Sequence, residues 1–314
     1  QPAETPSLTT NFAPAMGTLF VRSGWPDGAA DNDAGATVLT FRAGDHFSYH
    51  QHFDQGAVSL FKYSDLLLDS GVYSGDGRSY HDVNYYVRTI AHNTLVVYNP
   101  QEDLSAARPD AVANDGGQRT VYPATRSPVS EGEWQRNSLY YDTGDMLHMA
   151  EGSDYVYALG DLTKAYNNPS YNQAMDTSMA GNTAKVKRFQ RELVYLRAVL
   201  SPGGATAADG RDYLILYDRA GVTQPGFSGP NTKLLFHVMN EPSVSGLGQA
   251  ISPGETFYAG ANLAAAVNGP GKLYINVLAP PAHNLRVVGG RGQKSFWVFN
   301  GNFDWHWDTD EAQP

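Results

Sequence analysis

Apolar residues fall along this chain in short runs, parted by stretches rich in Gly, Pro, Asn, Asp and Ser. Within several runs apolar and polar residues alternate, the period of a strand with one wet face. The pattern predicts strands over Ala36–Arg42, Ala57–Tyr63, Asn93–Tyr98, Tyr155–Leu159, Lys185–Arg197, Tyr213–Arg219, Lys233–Met239, Lys272–Leu278, Asn284–Val288 and Lys294–Phe299. Lys185–Arg197 interleaves apolar and charged residues, so one face is expected to be wet. Tyr213–Tyr217 is apolar or aromatic without a break and reads as a central strand covered on both sides. Only Met16–Arg22 and Asn262–Val267 are helix-compatible, and both are short. Turn-rich loops are expected over Asn99–Gly132, Tyr166–Gly181, Ser201–Arg211, Gly221–Asn231 and Glu241–Glu255. No fixed-period repeat appears. The expectation is an all-β chain, a large antiparallel β-sandwich, occupying residues 1–314 as one domain.

Composition narrows the function classes. The formal net charge is -10, which argues against nucleic acid, whose partners need a basic footprint. It also disfavours a highly sulfated glycan and suits a less densely charged uronate polymer better. There is no cysteine, so no disulfide contributes. No apolar run is long enough to span a membrane. The Gln1 start and its Pro- and Thr-rich continuation have the look of a processed end.

The most informative segment is residues 50–93, which brings His50, His52, Asp69 and His92 into one short stretch. Two histidines and a carboxylate are a common protein ligand set for zinc, with a fourth position left for water or substrate. On a strand His50 and His52, two residues apart, would point to the same face. Asp69 ends the apolar run Leu66–Leu68, and His92 opens the run Leu95–Val97, so three neighbouring strands would present the ligands. The alternative for each histidine is an ordinary hydrogen-bonded residue at a sheet rim.

HQHFDQGAVSLF, LLLDSGVY and YYVRTIAHNTLVV, followed by VKRFQRELVYLR and DYLILYDRAGV, resemble the β-sandwich part of the heparinase II/III-like polysaccharide lyases. The resemblance runs from about Gly17 to Trp305. It implies a supersandwich-like fold, one zinc ion held by His52, Asp69 and His92, and a cleft-facing His50. Tyr73, Tyr80, Tyr85 and Tyr86 lie between the matched ligands. Any of these tyrosines could line the cleft, and the family pattern does not say which. His50 and Tyr73 are taken as the catalytic groups, Tyr80 and Tyr86 as substrate contacts, and Arg88 as a charge-assisted partner for a substrate carboxylate. A strand-end salt bridge, for example to Asp69 or Asp82, is the other reading of Arg88, which with Asn93 flanks the third strand beside His92. Asp54, Gln55 and Asp45 are candidate acceptors for the second ring nitrogens of the ligating histidines.

Such lyases cleave uronic-acid polymers by β-elimination: a base takes the C5 proton, and the bond from C4 to its oxygen breaks. They carry a large helical toroid before the sandwich, which supplies the principal tyrosine and a histidine or asparagine. No such region precedes the strands here, so the chain is expected to be a fragment or processed part of a longer protein. The implied partners are an acidic polysaccharide and either the missing toroid domain or a second copy. The implied location is secreted, periplasmic or on a bacterial cell surface. Two other classes remain: a non-catalytic carbohydrate-binding module, and a structural surface or filament protein of the same fold.

Other clusters carry less. Asp31-Asn32-Asp33 opens like a calcium loop, but the later ligands are missing. Asp142, Asp145, Asp154 and Asp161 read as solvated turn residues, with a second cation site as the alternative. Phe303, Trp305, His306 and Trp307 suit either sugar stacking or strand packing.

Overall fold

The computed structural model describes residues 9–24, 35–46, 51–72, 80–102, 112–119, 128–167, 183–197, 211–290, 293–299 and 301–302. His50, Tyr73, Asp31–Asp33 and the aromatic tail from Phe303 lie outside the described residues.

Strands β1 (Thr10–Ala13), β2 (Thr18–Arg22), β3 (Val38–Arg42), β4 (Val58–Lys62) and β5 (Ser64–Leu67) pair antiparallel, in chain order, into a first sheet. Period-two alternation turns Leu19 and Val21 of β2, and Leu39 and Phe41 of β3, to its inner face, where all four are buried. β6 (Leu95–Val97) follows a π-helical turn at Asp82–Tyr86 and a 3-10 turn at Thr89–Ala91. Two short helices come next, α1 (Glu131–Arg136) and α2 (Ser138–Tyr141).

A second sheet holds β7 (Asp145–Glu151), β8 (Tyr155–Asp161), β9 (Val186–Leu196) and β10 (Tyr213–Val222), in the order β10-β9-β8-β7. Its inner face presents Val156, Ala158, Phe189, Leu193 and Tyr195. These share one buried cluster with Leu19, Val21, Leu39, Phe41 and Val58, so the core lies between the two sheets. Each fully buried side chain of this kind stabilises the fold by about 1.5–3 kcal/mol. This is the expected sandwich: all-β, antiparallel, with only short helices among the described residues.

β11 (Thr232–Leu234) pairs with β6. Beyond it stand two three-stranded sheets. They are built from β12 (Ser243–Val244), β13 (Gln249–Ser252), β14 (Glu255–Ala259), β15 (Leu263–Asn268), β16 (Gly271–Asn276) and β17 (Asn284–Val288), in the orders β12-β15-β16 and β13-β14-β17. The hairpin β18 (Trp297–Val298) and β19 (Gly301–Asn302) is the last described element. Among the described residues no helix is long and apolar enough to cross a membrane.

Three local expectations are corrected. Met16–Arg22 and Asn262–Val267, read as helix-compatible, contribute β2 and β15. Alanine and methionine favour helices weakly, and cross-strand pairing overrides that preference. Tyr213–Tyr217 is not covered on both sides. β10 is the last strand of its sheet; Leu214 and Leu216 pack on the core, whereas Ile215 and Tyr217 are 47% and 54% exposed. Inside a stretch read as loop and turn, Ser130 caps α1, its Oγ accepting from the Glu133 amide, while Glu133 Oε2 accepts from the Val129 amide.

Candidate metal centre

None of the three implied ligands stands on a strand. His52 lies in the segment before β4, Asp69 just after β5, and His92 between the 3-10 turn and β6. Expected on three neighbouring strands, they are instead gathered at strand ends by backbone hydrogen bonds between their neighbours. The Phe53 amide donates to the Val87 carbonyl, and the Ser70 amide donates to the Ala91 carbonyl. Asn93 closes the arrangement. Its Nδ2 donates to the carbonyls of Val58 and Leu68 (2.9 and 3.0 Å), and its Oδ1 accepts from the His237 amide. The Asn93 carbonyl in turn accepts from the buried Arg191 guanidinium, which also donates to the Gly56 carbonyl and pairs with Asp218 across β9 and β10.

Gly71 explains how Asp69 comes so close. Its φ of +106° suits glycine, and a Cβ there would stand 2.8 Å from the Tyr86 ring. The Val72 amide donates to His81 Nε2 at 3.0 Å, and the Tyr85 hydroxyl donates to Ser70 Oγ. The π-helical turn thus grips the segment that carries Asp69.

One ligand atom from each of His52, Asp69 and His92 lies within 4.8 Å of the other two. His52 Nδ1 is 2.9 Å from His92 Nε2, and His92 Nε2 is 3.9 Å from Asp69 Oδ2. Ligands about 2.0–2.1 Å from a tetrahedral zinc stand roughly 3.3 Å apart, so this donor set fits such an ion. His92 is fully buried, whereas the Asp69 side chain is 48% exposed, so the cluster opens to solvent on the carboxylate side. His92 Nδ1 lies 2.8 Å from the Arg88 carbonyl, which can only accept. The proton therefore sits on Nδ1, and the Nε2 lone pair faces the cluster. Burial first, and the His92 ring second, push the His237 imidazole down to about 4, so it stays neutral near the cluster.

The remaining site expectations divide. Tyr86 meets the cluster: its ring stands edge-on to His52, centroids 4.8 Å apart. Tyr80 packs instead against a second apolar cluster with Tyr85, Ile90 and Val96. Arg88 is buried and takes the structural reading, a salt bridge, though its partner is Asp115 at 2.6 Å rather than Asp69 or Asp82. The outer acceptors also differ from expectation. Asp54 pairs with Arg42, the Gln55 side chain accepts from the Gly44 amide, and Asp45 accepts from the Thr143 amide, while the Arg88 carbonyl serves His92. Asp142 and Asp145 are bridged by the Lys164 ammonium at 2.8 and 3.0 Å. Asn93 and Asp115 were the residues whose roles sequence reasoning missed. Asn93 carried a signal, its place beside His92; Asp115 carried none.

An antiparallel sandwich with a His–Asp–His cluster at its strand ends defines the class. Residues 9–133, which contain the whole cluster, match the family described as heparinase II/III-like, C-terminal. No curated protein matches the sequence. Among solved structures, the chain is similar to the heparan sulfate lyase HepC from Pedobacter heparinus. That match has 19% identity and a TM-score of 0.34, covering 61% of this chain and 21% of that one. A heparinase III gene product aligns at 14% identity and a TM-score of 0.41, covering 90% of this chain and 35% of that one. The chain therefore spans about a fifth to a third of the length of these two proteins.

Proposed function

We propose that this chain is the metal-binding β-sandwich of a lyase that cleaves uronic-acid-containing polysaccharide by β-elimination, outside the bacterial cell. The observation that carries the reading is the convergence of His52 Nδ1, Asp69 Oδ2 and His92 Nε2 inside the family-matching span. His52, Asp69 and His92 would hold one zinc ion, which supplies a fixed dication that ties three strand ends together. His50 and Tyr73 are the groups assigned to the chemistry. One removes the C5 proton of the uronate, and the C4–O bond then breaks with its electron pair going to the leaving oxygen, which is protonated. Tyr86, whose ring stands against His52, is assigned to substrate contact; Tyr80, packed on the neighbouring apolar cluster, would contribute only if it were exposed on binding. Completion of the site by a helical toroid domain belongs to the same reading.

Elemental mass spectrometry of the purified chain tests the metal. About one zinc per chain is expected, lost in His52→Ala. The second test is the His50→Ala variant of the protein in its active context, followed by the absorbance of the unsaturated product. Turnover is expected to fall by about 10²–10⁴-fold with the fold retained; full activity would remove His50 from the mechanism.

Exposure of Ile215 and Tyr217 on the outer face of the second sheet favours a second reading, a carbohydrate-binding or structural surface protein of the same fold. Polyuronate binding without release of unsaturated product marks that outcome.

A further inference from the structure

We propose that Asp115 is the positioning residue of the metal centre, acting through Arg88 to set which nitrogen of His92 faces the ligand cluster. The inference rests on the metal reading given above and adds to it a residue far from the ligands in sequence.

The chain of contacts is short and dry. Asp115 Oδ1 accepts from Arg88 Nη2 at 2.6 Å, and both side chains are 1% exposed. Its other oxygen, Oδ2, accepts from the Ile90 amide at 3.3 Å. One carboxylate thus holds Arg88 by its side chain and the following turn by its backbone. Arg88 is extended (φ -86°, ψ 156°) just before the 3-10 turn, and its carbonyl receives both the Ala91 amide and His92 Nδ1. The Arg88 guanidinium also lies over the Phe53 ring at 5.4 Å, and Phe53 is the neighbour of His52.

Arg88 is therefore the node between two ligands, and Asp115 holds it in place. A buried charge pair tolerates little reorientation, because a displaced carboxylate or guanidinium would face an apolar environment unpaired. If the Arg88 carbonyl turns away, His92 loses the acceptor that keeps its proton on Nδ1. Proton transfer to Nε2 would then block the lone pair aimed at His52 and Asp69. The loop supports the same geometry: the Gln118 amide donates to Thr89 Oγ1 at 2.7 Å, pressing residues 115–118 onto the turn.

The test compares the wild-type chain with Asp115→Asn, the double variant Arg88→Met/Asp115→Leu, and Glu255→Gln. The double variant leaves no charge unpaired, which guards against simple unfolding of the single one. Glu255 is likewise buried and pairs with Arg286 and Lys294, but in the β13-β14-β17 sheet, so it reports destabilisation alone. Zinc affinity is read by competition with a chromophoric chelator on samples shown to be folded by circular dichroism. Long-range proton–nitrogen NMR of the metal-free chains reads the His92 tautomer. Asp115→Asn and the double variant are each expected to weaken zinc binding by about 10–100-fold and to lower the Nδ1–H population of His92. Glu255→Gln is expected to change neither. Wild-type zinc affinity in a folded Asp115→Asn or double variant would overturn the inference. If the wild-type chain itself takes up no zinc, the metal reading fails, and the tautomer alone decides: an unchanged Nδ1–H signal in both variants overturns the positioning role.

Discussion

Asp45 illustrates how a single residue can carry a fold-level cost. Burial, and then the neighbouring Asp142 carboxylate, raise its carboxyl from 3.8 to about 6, against the opposing Thr143 amide and Lys164 ammonium. The folded chain thus binds this proton more tightly than the unfolded chain does, so the contribution of Asp45 to stability worsens as pH rises from 3.8 towards 6. Asparagine keeps an acceptor for the Thr143 amide and carries no charge. Asp45→Asn is expected to stabilise the chain at pH 7 by about 1–2 kcal/mol after solvent screening, and to match wild type below pH 3.8. Urea unfolding at both pH values measures it. Equal midpoint differences at the two pH values would show that the carboxylate carries no such cost.

At the scale of elements, the two faces of the second sheet differ sharply. Leu193 of β9 is fully buried against the first sheet, while Ile215 and Tyr217 of β10 stand on the outer face. Leu193→Ala removes buried methyl groups and leaves a cavity, a loss of about 2–5 kcal/mol. Ile215→Lys and Tyr217→Ser are each expected to change stability by no more than about 0.5 kcal/mol. Thermal unfolding of the three variants distinguishes them. A large loss at Tyr217 would mean that another part of the chain covers this face. The alternation within β9 is legible in the sequence. The sidedness of β10 is not, because an unbroken apolar run looks the same whether one face or both are covered.

Across the whole molecule, buried charges knit distant segments together. Glu102 accepts from Arg119 Nε at 2.6 Å and from Lys185 Nζ at 2.8 Å, joining the segment after β6, the loop at residue 119 and the start of β9. Burial alone would raise the Glu102 carboxyl; the Lys185 and Arg119 charges outweigh it and hold it down to about 2. Its stabilising contribution is therefore complete above pH 4.5 and is lost as pH falls towards 2. Glu102→Gln leaves two buried cations without their carboxylate and is expected to cost about 3–5 kcal/mol at pH 7. The cost should shrink in acid, which chemical unfolding at pH 7 and pH 3 would show. A constant cost over that range would indicate a packing effect instead.

Residue types and spacing by themselves determined the sandwich class and most of its strands, since period-two alternation follows directly from backbone geometry in Ala36–Arg42 or Lys185–Arg197. They also singled out His52, Asp69 and His92, through motifs whose resemblance marked these three among nine histidines and many carboxylates. Only the tertiary structure decided how the three meet: on strand ends, fastened by Asn93 and Gly71 rather than by sheet register. It alone gave Arg88 to Asp115, turned β10 into a sheet margin, and made strands of Ala- and Met-containing segments. Each of these outcomes depends on a contact between residues far apart in the chain, and local propensity and spacing carry no information about which distant groups will share the same buried space.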